Sequence, residues 1–195
     1  MDRREALKNV AFLMGGILSA STLSIIAEGC NPVSKRTEGA LFDENQQRTI
    51  DEIADIIIPK TDSPGAKEAG VGAFIAMMID ECYPQAVQKS FVEGLDDVEK
   101  RSQDKFKKSF ADASQEERTQ LIHEVAEDTK KKKRQDRASE EAAEGPYFFQ
   151  LIRELTLLGY FTSEPGATQA LAYVAIPGRY DGCVPLKPGQ KAWAT

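Results

Sequence analysis

The sequence predicts an all-α domain, a small helical bundle followed by a long irregular C-terminal segment rich in glycine and proline. Three observations predict it. Apolar residues recur at three- and four-residue intervals in several successive segments. Capping residues and clusters of turn formers separate those segments. No segment shows the strict apolar–polar alternation of a strand. The 195 residues leave room for one such domain, at 41–195, together with a targeting segment.

The first helix is expected to begin after Asp43, a plausible N-cap, and to end before Pro59. Its buried stripe is formed by Ile50, Ile53 and Ile57. The following stretch, "TDSPGAKEAG" at 61–70, is dense in turn-forming residues. We therefore expect a tight, ordered loop between the first two helices.

The next two helices are predicted by apolar periodicity. Residues recurring at i, i+3, i+4, i+7, i+8 and i+11 predict an amphipathic second helix: Val71, Phe74, Ile75, Met78, Ile79 and Cys82. Its methionines are expected in the core rather than as metal ligands. A third helix after Pro84 is marked by Val87, Phe91, Leu95 and Val98.

The fourth helix begins with a capping box formed by Ser114 and Glu117. It is expected to bury Leu121, Ile122 and Val125. His123, about 100° from Ile122 around the helix, is interpreted as a surface or boundary histidine. The basic run at 130–137 is flanked by acidic residues and contains no aromatic residue. A solvated helix face or a mobile loop is the expectation there, with contact to anionic lipid or an acidic partner as the alternative.

In the last predicted helix, Pro146 occupies N1 and Gly159 the C′ position. Its apolar face comprises Phe148, Leu151, Ile152, Leu155 and Leu158. One further short helix fits residues 167–174, with Thr162, Ser163 or Glu164 as its cap. The remainder shows no periodicity.

The chain contains few of the residues and motifs that support catalysis. His123 is the only histidine, and neither a GxGxxG nor a GxxxxGK[ST] phosphate-binding motif occurs. No catalytic, cofactor-binding or metal-binding residue is therefore predicted, and a self-contained redox or hydrolytic enzyme is disfavoured. The net charge of −6 argues against nucleic acid as the main partner.

Residues 1–30 read as an export signal. Arg3, Arg4, Leu7 and Lys8 fit the twin-arginine pattern S/T-R-R-x-F-L-K, which directs proteins across the membrane already folded, although Asp2 and Ala6 depart from it. A charge-free stretch of moderate hydrophobicity follows at 9–27. General export and a plain signal anchor remain the alternatives, and each reading places the domain outside the cytoplasm.

The three cysteines fit export. Cys30 directly follows the apolar stretch, so it is a candidate lipidation site, with an uncleaved anchor or another cut nearby as alternatives. Residues 31–40 are interpreted as a tether. Cys82 and Cys183 remain for the folded domain, where a disulfide would fasten the irregular segment to the second helix; two separate thiols are the alternative.

Three stretches, "IADIIIPKTDSPGAKEAGV", "ELTLLGYFTSEPGATQALAY" and "PGRYDGCVP", resemble the gluconate 2-dehydrogenase subunit 3 family over roughly residues 41–193. The resemblance implies a non-catalytic, periplasmic, membrane-associated accessory subunit. Its partner would be a large FAD-containing subunit of the glucose–methanol–choline oxidoreductase type that oxidises a sugar or sugar acid, often with a cytochrome subunit. The small chain binds no FAD; it would help the large one fold and carry it through twin-arginine export.

Aromatic residues concentrate in the irregular segment, where a partner interface is predicted because interfaces favour such residues. The candidates are Tyr160, Phe161, Glu164, Tyr173, Tyr180 and Trp193. The alternative is that these aromatics cover their own helical core. Two other functions compete with the accessory role. One is a stand-alone exported lipoprotein that binds or tethers another molecule, and the other is a small hydrolase using Glu164, Asp181 or His123.

Overall fold

The computed structural model describes residues 41–139, 145–174, 176, 178 and 182–193. Leu41–Thr195 forms one compact unit. The predicted export signal (Arg3, Arg4, Leu7 and Lys8), the tether and Cys30 lie outside the described residues.

Five α-helices account for most of the described chain, and the all-α prediction is confirmed. They are α1 (Glu44–Ile57), α2 (Val71–Cys82), α3 (Gln85–Phe106), α4 (Gln115–Ala138) and α5 (Phe148–Thr162). A single 3₁₀ turn, Phe110–Asp112, connects α3 to α4. None of the helices in the described ranges is both long and apolar enough to cross a bilayer.

Helix α1 begins as predicted at Asp43. Its Oδ1 accepts a hydrogen bond from the Gln46 amide at 2.7 Å, and the Gln46 side chain accepts one from the Asp43 amide at 3.1 Å. This reciprocal pair satisfies two amides that the helix itself leaves without acceptors. Ile50 and Ile53 are fully buried, so the predicted stripe faces the core.

The loop between α1 and α2 is ordered, as its turn residues predicted. Ala66 is fully buried, its amide donates to the Ile58 carbonyl at 2.9 Å, and its carbonyl accepts from the Val71 amide at 3.0 Å. Gly70 adopts a left-handed conformation with φ of 70° immediately before α2, which glycine adopts without steric cost. The loop is therefore a fixed part of the core against which later elements can pack.

Asp51 on α1 packs directly against the backbone of α2. A Cβ atom on Gly72 would lie 1.8 Å from Asp51 Oδ1, so the two helices approach closely only because residue 72 is glycine. Burial raises the pKa of Asp51, and a hydrogen bond with Gln47 and the charge of Lys67 oppose that rise. The ionised carboxylate is thus a destabilising feature of the folded state.

Asp51→Asn is expected to raise the Tm at pH 7. Because the folded pKa lies above the unfolded value, ionisation costs stability as the pH rises through the folded pKa. The gain should therefore disappear as the pH falls below about 4, the ordinary pKa of aspartate. Thermal melts at pH 7 and at low pH, with the exposed Asp104→Asn as control, measure this. An equal Tm change for both variants at all pH values would contradict the assignment.

Helices α3 and α4 complete the core with the residues that periodicity predicted. Phe91 is 1% exposed, and its ring lies 5.8 Å from that of Phe42 and 5.2 Å from that of Phe148. The Ser114–Glu117 capping box of α4 is confirmed, with the Ser114 amide donating to Glu117 at 2.8 Å and Ser114 Oγ accepting from the Glu117 amide at 3.3 Å. The basic run forms the exposed C-terminal part of α4, which confirms the solvated helix face.

Helix α5 differs from its prediction at both ends. It begins at Phe148 with Tyr147 as N-cap, so Pro146 precedes the helix rather than occupying N1. Gly159 does not end it, because the helix continues to Thr162. A Cβ atom at residue 159 would lie 2.5 Å from Cδ1 of Phe74. Gly159 is required by the close approach of α2 to α5, which one sequence does not reveal.

Beyond α5 the predicted helix over 167–174 is only partly formed. A single π-type turn spans Gly166–Ala170, and the chain is then extended. An isolated parallel bridge pairs Ala172 with Trp193.

Candidate partner-binding surface

The outward face of α5 changes character along its length. Its first half carries the exposed polar residues Arg153 and Glu154, whereas the second half carries three large apolar side chains in solvent. These are Leu157, Leu158 and Phe161, which are 40%, 48% and 41% exposed and are named here the α5 patch. Leu158 was expected on the buried face, so its exposure corrects that prediction.

Tyr160 is part of the buried core, and its ring contacts Phe161 of the α5 patch. It is 2% exposed, and its hydroxyl donates to the Pro64 carbonyl at 2.7 Å, with Ser63 Oγ 3.2 Å away. The Phe161 ring stands edge-on to the Tyr160 ring at 5.3 Å. Of the aromatics predicted at the interface, Tyr160 therefore follows the alternative reading, and it holds the exposed Phe161 in place.

The chain leaves α5 in a defined direction. Ser163 Oγ donates to the Tyr160 carbonyl at 2.6 Å and accepts from the Gly166 amide at 3.2 Å. A Cβ atom at Gly166 would lie 1.8 Å from the Tyr160 carbonyl oxygen, so only glycine fits against this backbone. Ser163 thus supplies the cap that the sequence assigned to residues 162–164, while Glu164 is exposed.

The C-terminal arm, defined as described residues 171–174, 176, 178 and 182–193, follows this junction. Its base is closed by the Ala172 amide, which donates to the Ala192 carbonyl at 2.7 Å, and by Lys191 Nζ, which donates to the Gln169 carbonyl. Five large apolar side chains of the arm are exposed: Tyr173, Ile176, Val184, Leu186 and Trp193. Tyr180, another predicted interface residue, lies outside the described residues.

The predicted disulfide between Cys82 and Cys183 is not formed in this structure, where both are free and exposed. The base of the arm is closed by the bond from Ala172 to Ala192, and the bond from Lys191 to Gln169 joins it to the turn that follows α5. Sequence reasoning assumed that an irregular segment needs a covalent anchor, and it could not anticipate a backbone bridge between residues twenty-one positions apart.

No catalytic constellation is assembled within the described ranges. They contain no group of three His, Cys, Asp or Glu side chains placed to hold a metal ion. His123 is exposed, Glu164 is also exposed on another part of the domain, and Asp181 lies outside the described residues. The three residues considered for a hydrolase are thus not seen to form a site.

A cavity with a volume of about 750 Å³ lies between α3, α4 and the start of α5. Several of the polar groups that line it bond to one another. Arg101 bonds Asp97 at 2.8 Å and Asp128 at 2.7 Å, and the guanidinium lowers the pKa of Asp128. Across the cavity Tyr147 donates to Asp136 at 2.6 Å, which raises the tyrosine pKa. The Arg101–Asp128 pair joins α3 to α4, and the Tyr147–Asp136 pair joins the start of α5 to α4.

Comparison with known proteins is consistent with this picture. The family model described as Gluconate 2-dehydrogenase subunit 3 matches residues 44–178, more than two thirds of the chain. The chain belongs to this family. No curated protein and no solved structure gives a significant match.

The subunit 3 match begins with α1, includes all five helices and ends within the arm. It confirms the family resemblance, and the family name indicates an accessory subunit of a gluconate dehydrogenase complex.

Of the three residues of the α5 patch, Phe161 had been predicted at an interface, whereas Leu157 and Leu158 had not. Leu157 lies outside the periodic stripe of α5, and that position was the one available signal of its exposure.

Proposed function

We propose that this chain is a non-catalytic subunit that binds a large FAD-containing dehydrogenase subunit, helps it fold and escorts it through twin-arginine export. The partner is of the glucose–methanol–choline oxidoreductase type and oxidises a sugar or sugar acid. FAD belongs to that partner, and a cytochrome subunit carries the electrons onward. The complex works in the periplasm, attached to the membrane by a signal anchor or a lipid on Cys30.

The observation that carries the proposal is the α5 patch beside the arm. Large apolar side chains that adjoin one another on a soluble domain are a feature of protein-binding surfaces. Those of the patch stand on a helix whose other side is packed into the core, so they are presented in a fixed arrangement. Membership of a family named for a dehydrogenase subunit supports a dehydrogenase subunit as the partner.

The export of a flavoprotein provides a physical reason why the small chain would carry the signal while the large chain carries the cofactor. The cofactor must be inserted into a folded protein, so the flavoprotein has to cross the membrane folded. The arginine pair Arg3–Arg4 addresses a route that accepts folded cargo. One signal then serves two bound chains, and the small chain needs a binding surface rather than catalytic residues.

Leu158→Asp is expected to reduce recovery of the complex by at least about tenfold, because a charge buried in an apolar interface loses its hydration. The full chain is co-expressed with a large FAD-containing dehydrogenase subunit of the proposed type, and the bound flavin is measured after affinity purification. Ser90→Asp adds the same charge at an exposed position of α3 and should leave recovery unchanged. Circular dichroism and melting curves establish that both variants fold.

Two results would contradict the proposal. One is purification of the chain from its own cells without any flavoprotein, and the other is intact sugar oxidation in a strain that lacks this gene. Acylation of Cys30 in such a solitary chain would instead indicate the stand-alone lipoprotein.

A further inference from the structure

We infer that the C-terminal arm is a second docking element, which seats in an apolar cleft of the dehydrogenase subunit whose rim is acidic. This rests on the proposed function and adds the location and the chemistry of a second contact. The arm would dock beside the α5 patch, because it begins directly beyond the Gly166–Ala170 turn that packs against the end of α5.

The five large apolar side chains of the arm that were named above are not buried against the described part of the domain. Ile176 and Leu186 are each 85% exposed, and Trp193 is 60% exposed. Single exposed apolar residues are ordinary on soluble proteins, whereas several on one short segment mark an interaction site. The arm therefore has the composition of an interface and lacks the contacts that would make it part of the core.

The conformation of the arm is nevertheless restricted by hydrogen bonds at two places. Its base is closed by the hydrogen bonds to Ala192 and Gln169 described above. A second closure lies near its end, where the Gln190 amide donates to the Lys187 carbonyl at 3.0 Å and the Gln190 side chain accepts from the Lys187 amide at 3.2 Å. Gly189, with φ of 71°, permits that turn. A closed segment loses less conformational entropy on binding than an open tail of the same length.

The net charge of the arm indicates the kind of surface to which the arm binds. Residues 171–193 contain three basic residues and one acidic residue, a net charge of +2. Residues 41–170 contain 17 basic and 26 acidic residues, a net charge of −9. Opposite charge favours contact with the acidic helical body, yet Ile176 and Leu186 remain exposed. An acidic surface alone is therefore not sufficient to bury the apolar side chains of the arm. The surface that binds the arm must also contain an apolar cleft.

The experiment measures the affinity of the full-length chain for the purified flavoprotein subunit. Leu186→Asp is expected to weaken binding by at least about tenfold, and because residue 186 is exposed the variant should melt like the unaltered chain. Ser90→Asp again serves as the matched charge control. Four arm amides, those of Leu171, Ala172, Lys187 and Gln190, are already hydrogen-bonded in the free chain. Hydrogen exchange should show the other arm amides protected in the complex and unprotected in the free chain.

The outcomes separate this inference from the function on which it rests. If Leu186→Asp binds within about twofold of the unaltered chain while Leu158→Asp does not bind, the arm inference is wrong and the proposed function stands. If the unaltered chain binds no flavoprotein, both are wrong. Protection of those other arm amides in the free chain would place the arm on its own acidic body. Protection that depends on chain concentration would place it on a second copy. Either result overturns the inference.

Discussion

Replacing Phe91 with alanine is expected to lower the free energy of unfolding by about 3–5 kcal/mol, because it deletes a buried aromatic ring and leaves a cavity. Phe91 is 1% exposed, and its ring contacts those of Phe42 and Phe148, so it joins α3 to the start of α1 and to α5. Domains of this size are stable by about 5–15 kcal/mol. A loss of this size brings the domain close to unfolding, which urea titration followed by circular dichroism measures directly.

Phe161→Ala removes the same ring from an exposed position and is the matched control. Phe161 is 41% exposed on the α5 patch, so we expect less than about 1 kcal/mol of lost stability. Its affinity for the flavoprotein subunit should nonetheless fall, since exposed aromatics on an interface contribute to binding. The two variants thus separate stability from recognition. Equal losses of stability would contradict the burial of Phe91, and unchanged affinity of Phe161→Ala would contradict the role of the patch.

Arg3→Lys combined with Arg4→Lys is expected to leave most of the dehydrogenase activity of the complex in the cytoplasm. The substitution keeps both charges but removes the planar guanidinium groups, and lysine does not replace arginine where that geometry is recognised. The twin-arginine signal is an address read by a receptor. Measuring sugar oxidation and flavin in separated periplasmic and cytoplasmic fractions tests this, with Arg36→Lys in the tether as the matched control.

Normal export of the partner from the double-lysine strain would contradict the escort role. If this chain stayed in the cytoplasm while the flavoprotein was exported, the two would use separate signals. Retention of both chains, together with an unchanged fold of the variant, is the result that the proposal requires. The Asp2 and Ala6 departures from the twin-arginine pattern make this the decisive measurement for residues 1–30.

The sequence predicted those features that depend on local chemistry. Asp43 and Ser114 cap their helices because a cap needs only residues within one turn. Apolar periodicity likewise identified the buried faces of α1, α3 and α4. Gly159 was misassigned because a glycine that ends a helix and a glycine that admits a neighbouring helix look identical in one sequence. Phe74, which decides between them, is eighty-five residues earlier in the chain.

The candidate site was predictable in composition but not in arrangement. Aromatic enrichment located the interface near the end of the chain, yet it could not separate the buried Tyr160 from its exposed neighbour Phe161. That distinction depends on where the hydroxyl of Tyr160 finds an acceptor. The acceptor is the Pro64 carbonyl in the loop between α1 and α2, a long-range contact that periodicity does not encode.

The bond from Tyr160 to Pro64 also has a consequence for the timing of assembly. It spans 96 residues, so its two ends meet only after the chain has been synthesised through α5. A nascent or truncated chain therefore lacks the support that orients Phe161. Under the proposed function, a chain that stops before α5 would therefore lack the surface proposed to bind the flavoprotein, and partner binding could begin only after α5 has been synthesised.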